Sequence, residues 1–157
     1  MIIRRNELNK PDLNGKVVGL TSGCYDILHY YHLRYLERCK SLCDFLIVGV
    51  DGDLLVKKNK NKMPVIPEHH RMAMVDALKC VDAVFQMDEI NDIFEFYSVV
   101  HKVFKNSDII YGKKIEVNGP ELVIIPDIKE LYSTTAIINK IKGDTINDFQ
   151  KSLSQGN

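Results

Sequence analysis

A chain of 157 residues has room for one buried core, and 45% hydrophobic side chains is ordinary for a globular domain. Its 21 basic and 21 acidic side chains cancel, so it lacks the basic excess of a duplex-binding domain, and no apolar run approaches the roughly 20 residues that span a bilayer. The N-terminal residues do not read as a signal peptide, and Cys24, Cys39, Cys43 and Cys80 have neither zinc nor CxxC spacing, which fits reduced thiols in a cytoplasmic protein.

Along the chain, strand and helix patterns alternate. Lys16–Thr21 is a short apolar run that ends in Ser22-Gly23, a buried strand followed by a tight turn. Leu28, Leu33, Leu36 and Cys39 mark a helix from Leu28 to Leu42. Phe45–Val50 is a second strand, apolar on consecutive positions as in a parallel sheet covered on both faces. The lysine-rich stretch Lys57–Lys62 reads as a mobile loop. Pro67 and Glu68 open a helix that runs to about Leu78. Val81–Phe85 is a third strand, and a helix is expected over Ile90–Phe104 on the apolar positions Ile93, Phe94, Tyr97, Val100 and Phe104. Asp108–Gly112 and Leu122–Ile125 supply the fourth and fifth strands, and Ser133–Ile141 the last helix.

This order predicts a single-domain α/β fold, a Rossmann-like three-layer sandwich around a five-stranded parallel sheet, with the domain over residues 1–142 and a polar tail over 143–157. In such folds ligands bind at the carboxyl ends of the strands. The densest segment there is Gly23-Cys24-Tyr25-Asp26-Ile27-Leu28-His29-Tyr30-Tyr31-His32. A glycine turn leaves a strand and opens a helix, and two histidines three apart share one helix face. The free N–H groups of that helix end suit a phosphate.

This segment resembles the signature of the cytidylyltransferase-like nucleotidyltransferase superfamily: a glycine, an aromatic-Asp pair, then His-x-Gly-His. A second signature, the hydroxyl-rich helix start, is matched by Tyr132-Ser133-Thr134-Thr135-Ala136-Ile137-Ile138. The likeness extends over roughly residues 16–142. Within the superfamily the chain is most similar to heptose-1-phosphate adenylyltransferases, then to glycerol-3-phosphate cytidylyltransferases.

The resemblance implies transfer of an NMP unit from an NTP, ATP favoured, to a phosphorylated small molecule such as a sugar 1-phosphate, with release of pyrophosphate. A CTP-dependent cytidylyltransferase acting on a polyol or alcohol phosphate is the alternative. By the same likeness His29, His32 and Lys57 are the catalytic residues, with Lys58 and Lys60 as substitutes for Lys57. Thr21, Gly23, Cys24, Tyr25, Gly112, Ser133, Thr134 and Thr135 bind the nucleotide, and Asp26 and Arg71 serve the acceptor. Mg²⁺ would bridge the phosphates with few protein ligands, and a homodimer is expected. Tyr31 departs from the pattern, standing where the motif has glycine. It leaves room for a third reading, a nucleotide-binding regulator with reduced catalysis. His69-His70 and His101 read as exposed helix residues.

Overall fold

The computed structural model describes residues 1–3, 13–110, 112–127 and 133–143. In chain order the elements are β1 (Val18–Gly23), α1 (Tyr30–Lys40), β2 (Phe45–Asp51), α2 (Asp53–Lys60), α3 (Glu68–Asp76) and β3 (Ala83–Met87). A 3₁₀ helix (Ile90–Phe96) leads to β4 (Lys102–Lys105), the short strands β5 (Ile109–Ile110) and β6 (Lys113–Lys114), and β7 (Glu121–Ile124). A last helix, α4, covers 134–143.

Five strands form one parallel sheet in the order β3-β2-β1-β4-β7. Side chains alternate across it. Along β2, Leu46, Val48 and Val50 join the layer of α1 and α3, while Ile47 joins the layer of α2 and the 3₁₀ helix. Burial on both faces is why these strands are apolar at consecutive positions, each fully buried aliphatic side chain contributing about 1.5–3 kcal/mol. Gly19 leaves room for a β4 side chain and for the turn after α1: a Cβ there would fall 2.4 Å from the Phe104 ring and 2.7 Å from Cys43 Sγ. β2 and β3 lie on one side of β1 and β4 and β7 on the other, so the connections diverge at its carboxyl end and leave a crevice there.

Three local expectations are corrected. The helix foreseen over Ile90–Phe104 is a short 3₁₀ helix, with Asp92 accepting the Asp88 and Glu89 N–H groups at 2.7 and 2.8 Å, and the chain then turns into β4. Val103 and Phe104 are both fully buried but point into different layers, which a strand does and a helix stripe does not. The fourth strand expected at Asp108–Gly112 is instead the small antiparallel β5–β6 hairpin, with Gly112 in its turn at φ 75°. Most of the lysine-rich stretch is helical, because Leu55 and Val56 anchor α2 to the core and Asn61 ends it in the left-handed region at φ 54°.

The arginines of the N-terminal stretch, Tyr111, residues 128–131, Tyr132 at the start of the second signature and the tail beyond 143 lie outside the described residues. Among the described residues no helix is long and apolar enough to cross a membrane.

Candidate active site

The turn from β1 into α1 is strained. Tyr25 and Ile27 sit at φ 52° and 48°, a region that disfavours L side chains and most of all a β-branched one, at a cost of about 1 kcal/mol or more each. The surroundings hold it in place. Arg71 donates to the Cys24 carbonyl at 2.5 Å, and Thr134 Oγ1 donates to the Asp26 carbonyl at 2.8 Å. Both Asp26 carboxylate oxygens accept backbone N–H groups, from Val65 at 2.8 Å and Ile66 at 2.9 Å.

The strained turn delivers the histidines. His29 is the extended N-cap of α1, with φ −141° and ψ 179°. Its imidazole lies 4.1 Å from that of His32, centroid to centroid. His29 Nε2 is 3.3 Å from Thr134 Oγ1, although the residues are 105 positions apart. Ser133 caps α4, its Oγ accepting the Ala136 N–H at 3.1 Å. Two helix N-termini therefore open toward the same imidazoles, and each presents unpaired N–H groups and a partial positive charge.

The His32 ring is held neutral. Burial, then the neighbouring His29 and the Lys60 charge, lower its pKa to about 4. Burial lowers that of His29 as well. His32 Nδ1 accepts the His29 backbone N–H at 3.4 Å, which assigns the ring proton to Nε2. A neutral imidazole with an Nε2–H is a hydrogen-bond donor ready for a phosphate oxygen.

Beside His32 opens a cavity of about 500 Å³, within the usual range for a small-molecule site. Its floor is the carboxyl ends of β1, β2 and β4, presenting Ser22, Gly23, Cys24, Asp51 and Lys105. Lys60, from the end of α2, lines it too, and its charge acts on His32, Cys24 and Asp51. The 3₁₀ helix and the β5–β6 hairpin supply a largely apolar wall. Tyr31 lines the cavity, stacked on Tyr35 at 6.5 Å between ring centroids. Its hydroxyl is bonded to Asp127, which also accepts from Asn106 at 3.2 Å. Burial and that carboxylate raise the phenol's pKa, so Tyr31 keeps its proton.

Residues 20–140 match the model of the family described as cytidylyltransferase-like. The chain belongs to the cytidylyltransferase-like family. Curated relatives include proteins named "Bifunctional protein HldE". The one from Campylobacter fetus subsp. fetus (strain 82-40) is 37% identical over 146 residues, covering 90% of this chain and 31% of that protein. The one from Helicobacter acinonychis (strain Sheeba) is 34% identical over 137 residues, covering 86% and 30%. The chain thus spans less than a third of the length of these relatives. Among solved structures, the lipopolysaccharide core biosynthesis protein from Thermoplasma volcanium GSS1 superposes with a TM-score of 0.61 at 25% identity, covering 73% of this chain and all of that one.

In this cytidylyltransferase-like chain, His29, His32 and Thr134 come together, with Ser133 and Thr135 at the same helix start. Gly23, Cys24 and Tyr25 line the cavity. The Thr21 side chain does not. It is fully buried and donates to the Phe104 carbonyl at 3.0 Å, so the Tyr35 hydroxyl 3.0 Å away donates to it. Lys57 is exposed and absent from the cavity lining, and the lysine that α2 presents there is Lys60. Gly112 lies in the hairpin turn, outside that lining. Arg71, expected to meet the acceptor, is 2% exposed. Its guanidinium is engaged by Asp53 at 2.7 Å, the Ile66 carbonyl at 2.8 Å and the Cys24 carbonyl, so it braces the turn. The Asp26 carboxylate is likewise occupied within the protein.

Sequence reasoning missed Asp51 and Lys105, the last residues of β2 and β4. The signal for Asp51 was its place right after an apolar run. For Lys105 it was hidden, because β4 was read as the end of a helix.

Proposed function

We propose that this chain transfers the NMP unit of an NTP, ATP favoured, to a phosphorylated small molecule such as a sugar 1-phosphate. The observation that carries the reading is the 3.3 Å approach of His29 Nε2 and Thr134 Oγ1, which joins two phosphate-suited helix ends at one spot. An oxygen of the acceptor's phosphate, already ionised near neutral pH, attacks the α-phosphorus. The bond to the β-phosphate's bridging oxygen breaks, and pyrophosphate leaves with that electron pair. No general base is needed, so the protein's task is positioning and charge stabilisation. The Nε2–H of His32 donates to a phosphate oxygen, and His29 adds a second bond when its Nε2–H exchanges Thr134 Oγ1 for the nucleotide. The N-terminal amides of α1 and α4, with Ser133 and Thr134, hold the leaving end, and Lys60 covers it from α2.

Among the described residues no group of three or more His, Cys, Asp or Glu could hold a metal ion. Mg²⁺ would enter with the nucleotide as part of the substrate and would neutralise phosphate charge there. Support for a sugar phosphate comes from the structural neighbour, which is named for lipopolysaccharide core biosynthesis.

The test is pyrophosphate release with MgATP or MgCTP across a panel of sugar 1-phosphates and polyol phosphates. Turnover with ATP and a sugar 1-phosphate is expected. Turnover with CTP and a polyol phosphate alone would replace this reading with the cytidylyltransferase one. A second reading, a nucleotide-binding protein of low turnover, is favoured by Tyr31, whose ring lines the cavity where the family motif has glycine. Nucleotide binding without turnover, restored by Tyr31→Gly, would establish it.

A further inference from the structure

We propose that Asp51 and Lys105 form the acceptor-specificity pair of this site, reading neighbouring hydroxyls of a polyhydroxylated phosphate monoester; this rests on the transfer reaction above. β2 and β4 flank β1 on its two sides, so their last residues, Asp51 and Lys105, face the cavity floor from either side of the carboxyl end of β1. The two are electrostatically linked. Burial pushes the Asp51 carboxyl up and the Lys105 ammonium down, and the charge of each opposes the other's shift.

Lys105 Nζ donates one hydrogen bond, to Ser22 Oγ at 2.6 Å, which leaves two of its three donors for a ligand. Asp51 accepts no hydrogen bond from the described side chains around it. A carboxylate on the floor of a phosphate-binding cavity repels phosphate, so its fitting partner is a donor, a hydroxyl. An acceptor and a donor facing one cavity from the two sides of β1 match the two roles that hydroxyls on neighbouring carbons can play at once. Above them stand Phe94 and Tyr97, edge-to-face at 5.0 Å, with Ile93 and Met87. That wall suits the C–H face of a sugar ring and offers nothing to a second anion. The acceptor phosphate is left to the His32 end of the cavity, next to the α-phosphorus that it attacks.

The experiment is calorimetric titration of the protein, with α,β-methylene-ATP present, by glucose 1-phosphate, mannose 1-phosphate, a heptose 1-phosphate and ethyl phosphate. At least one sugar phosphate should bind about tenfold or more tightly than ethyl phosphate. Asp51→Asn and Lys105→Met should each remove that advantage and leave ethyl phosphate binding within about twofold. The pair is overturned if no sugar phosphate exceeds ethyl phosphate, or if the variants weaken both ligands alike. It is also overturned if the variants lower affinity for the nucleotide analogue instead. Should a variant fail to fold, deoxy analogues of the bound sugar titrated into the unaltered protein decide the matter. Loss of about tenfold at two adjacent hydroxyls supports the pair, and no loss at any position overturns it. Tight sugar-phosphate binding without pyrophosphate release would reject the transfer reaction and leave the pair standing. Turnover that is equally good with ethyl phosphate would reject only the pair.

Discussion

His32 is kept uncharged by where it sits, and this has a signature in stability. Its pKa is near 6.5 in the unfolded chain and about 4 in the folded one. Between those values the unfolded chain holds the extra proton, so this contribution to stability is full above about pH 6.5 and is lost as pH falls toward about 4. Urea unfolding of the protein and of His32→Gln at pH 7 and pH 4.5 should show a smaller acid loss in the variant. In turnover assays His32→Ala should lower kcat/KM by about a hundredfold or more, the usual effect of removing one charge-stabilising donor. The histidine pair was legible in the sequence because its spacing and the glycine turn before it carry the chemistry locally. The roles of Arg71 and Asp26 were not. Whether a guanidinium meets a ligand or a carbonyl, and a carboxylate a ligand or an amide, depends on which backbone groups the fold leaves unpaired nearby, and Cys24 is far in sequence from Arg71 as Val65 and Ile66 are from Asp26.

At the scale of elements, two packing choices hold the site in position. Gly19→Ala forces a methyl against the Phe104 ring and Cys43, so it should destabilise by about 1–3 kcal/mol in urea unfolding. Arg71→Met leaves the Asp53 carboxylate and two carbonyls without their donor. It should cost about 3 kcal/mol and also lower nucleotide affinity, because the turn carrying His29 loses a brace. Affinity unchanged in the folded variant would show that the turn stands without it. β1, β2, β3 and β7 were readable as uninterrupted apolar runs. β4 was not, since Val100, Val103 and Phe104 match helical and strand periods alike, and only pairing with β1 (Leu20 beside Val103) distinguishes them. α2 was masked by its own lysines, because Leu55 and Val56 at its start are the sole apolar anchors that hold a polar helix on the core.

For the molecule as a whole, the five-stranded parallel sheet follows from the alternating pattern, and the convergence of two distant motifs from the rule that ligands bind at the carboxyl ends of its strands. The cavity's apolar wall does not, because it is built from the 3₁₀ helix and the β5–β6 hairpin, neither of which has a strong local pattern. A triphosphate bridging α1 and α4 should stabilise the entire fold. At a hundredfold excess over Kd, MgATP should add about 2.7 kcal/mol and raise Tm by about 5–10 °C. Hydrogen exchange should slow at 133–143 and in the 24–33 turn together. Slowing of the turn alone would mean that the last helix takes no part in binding.

The bond between His29 and Thr134 also bears on how the protein is made. A chain emerging from the ribosome has its first histidine early but lacks the hydroxyl that faces it until more than a hundred further residues have been added. A chain that has not yet reached residue 134 therefore lacks one side of the grip proposed for the nucleotide, which can stabilise the fold only once α4 has been added.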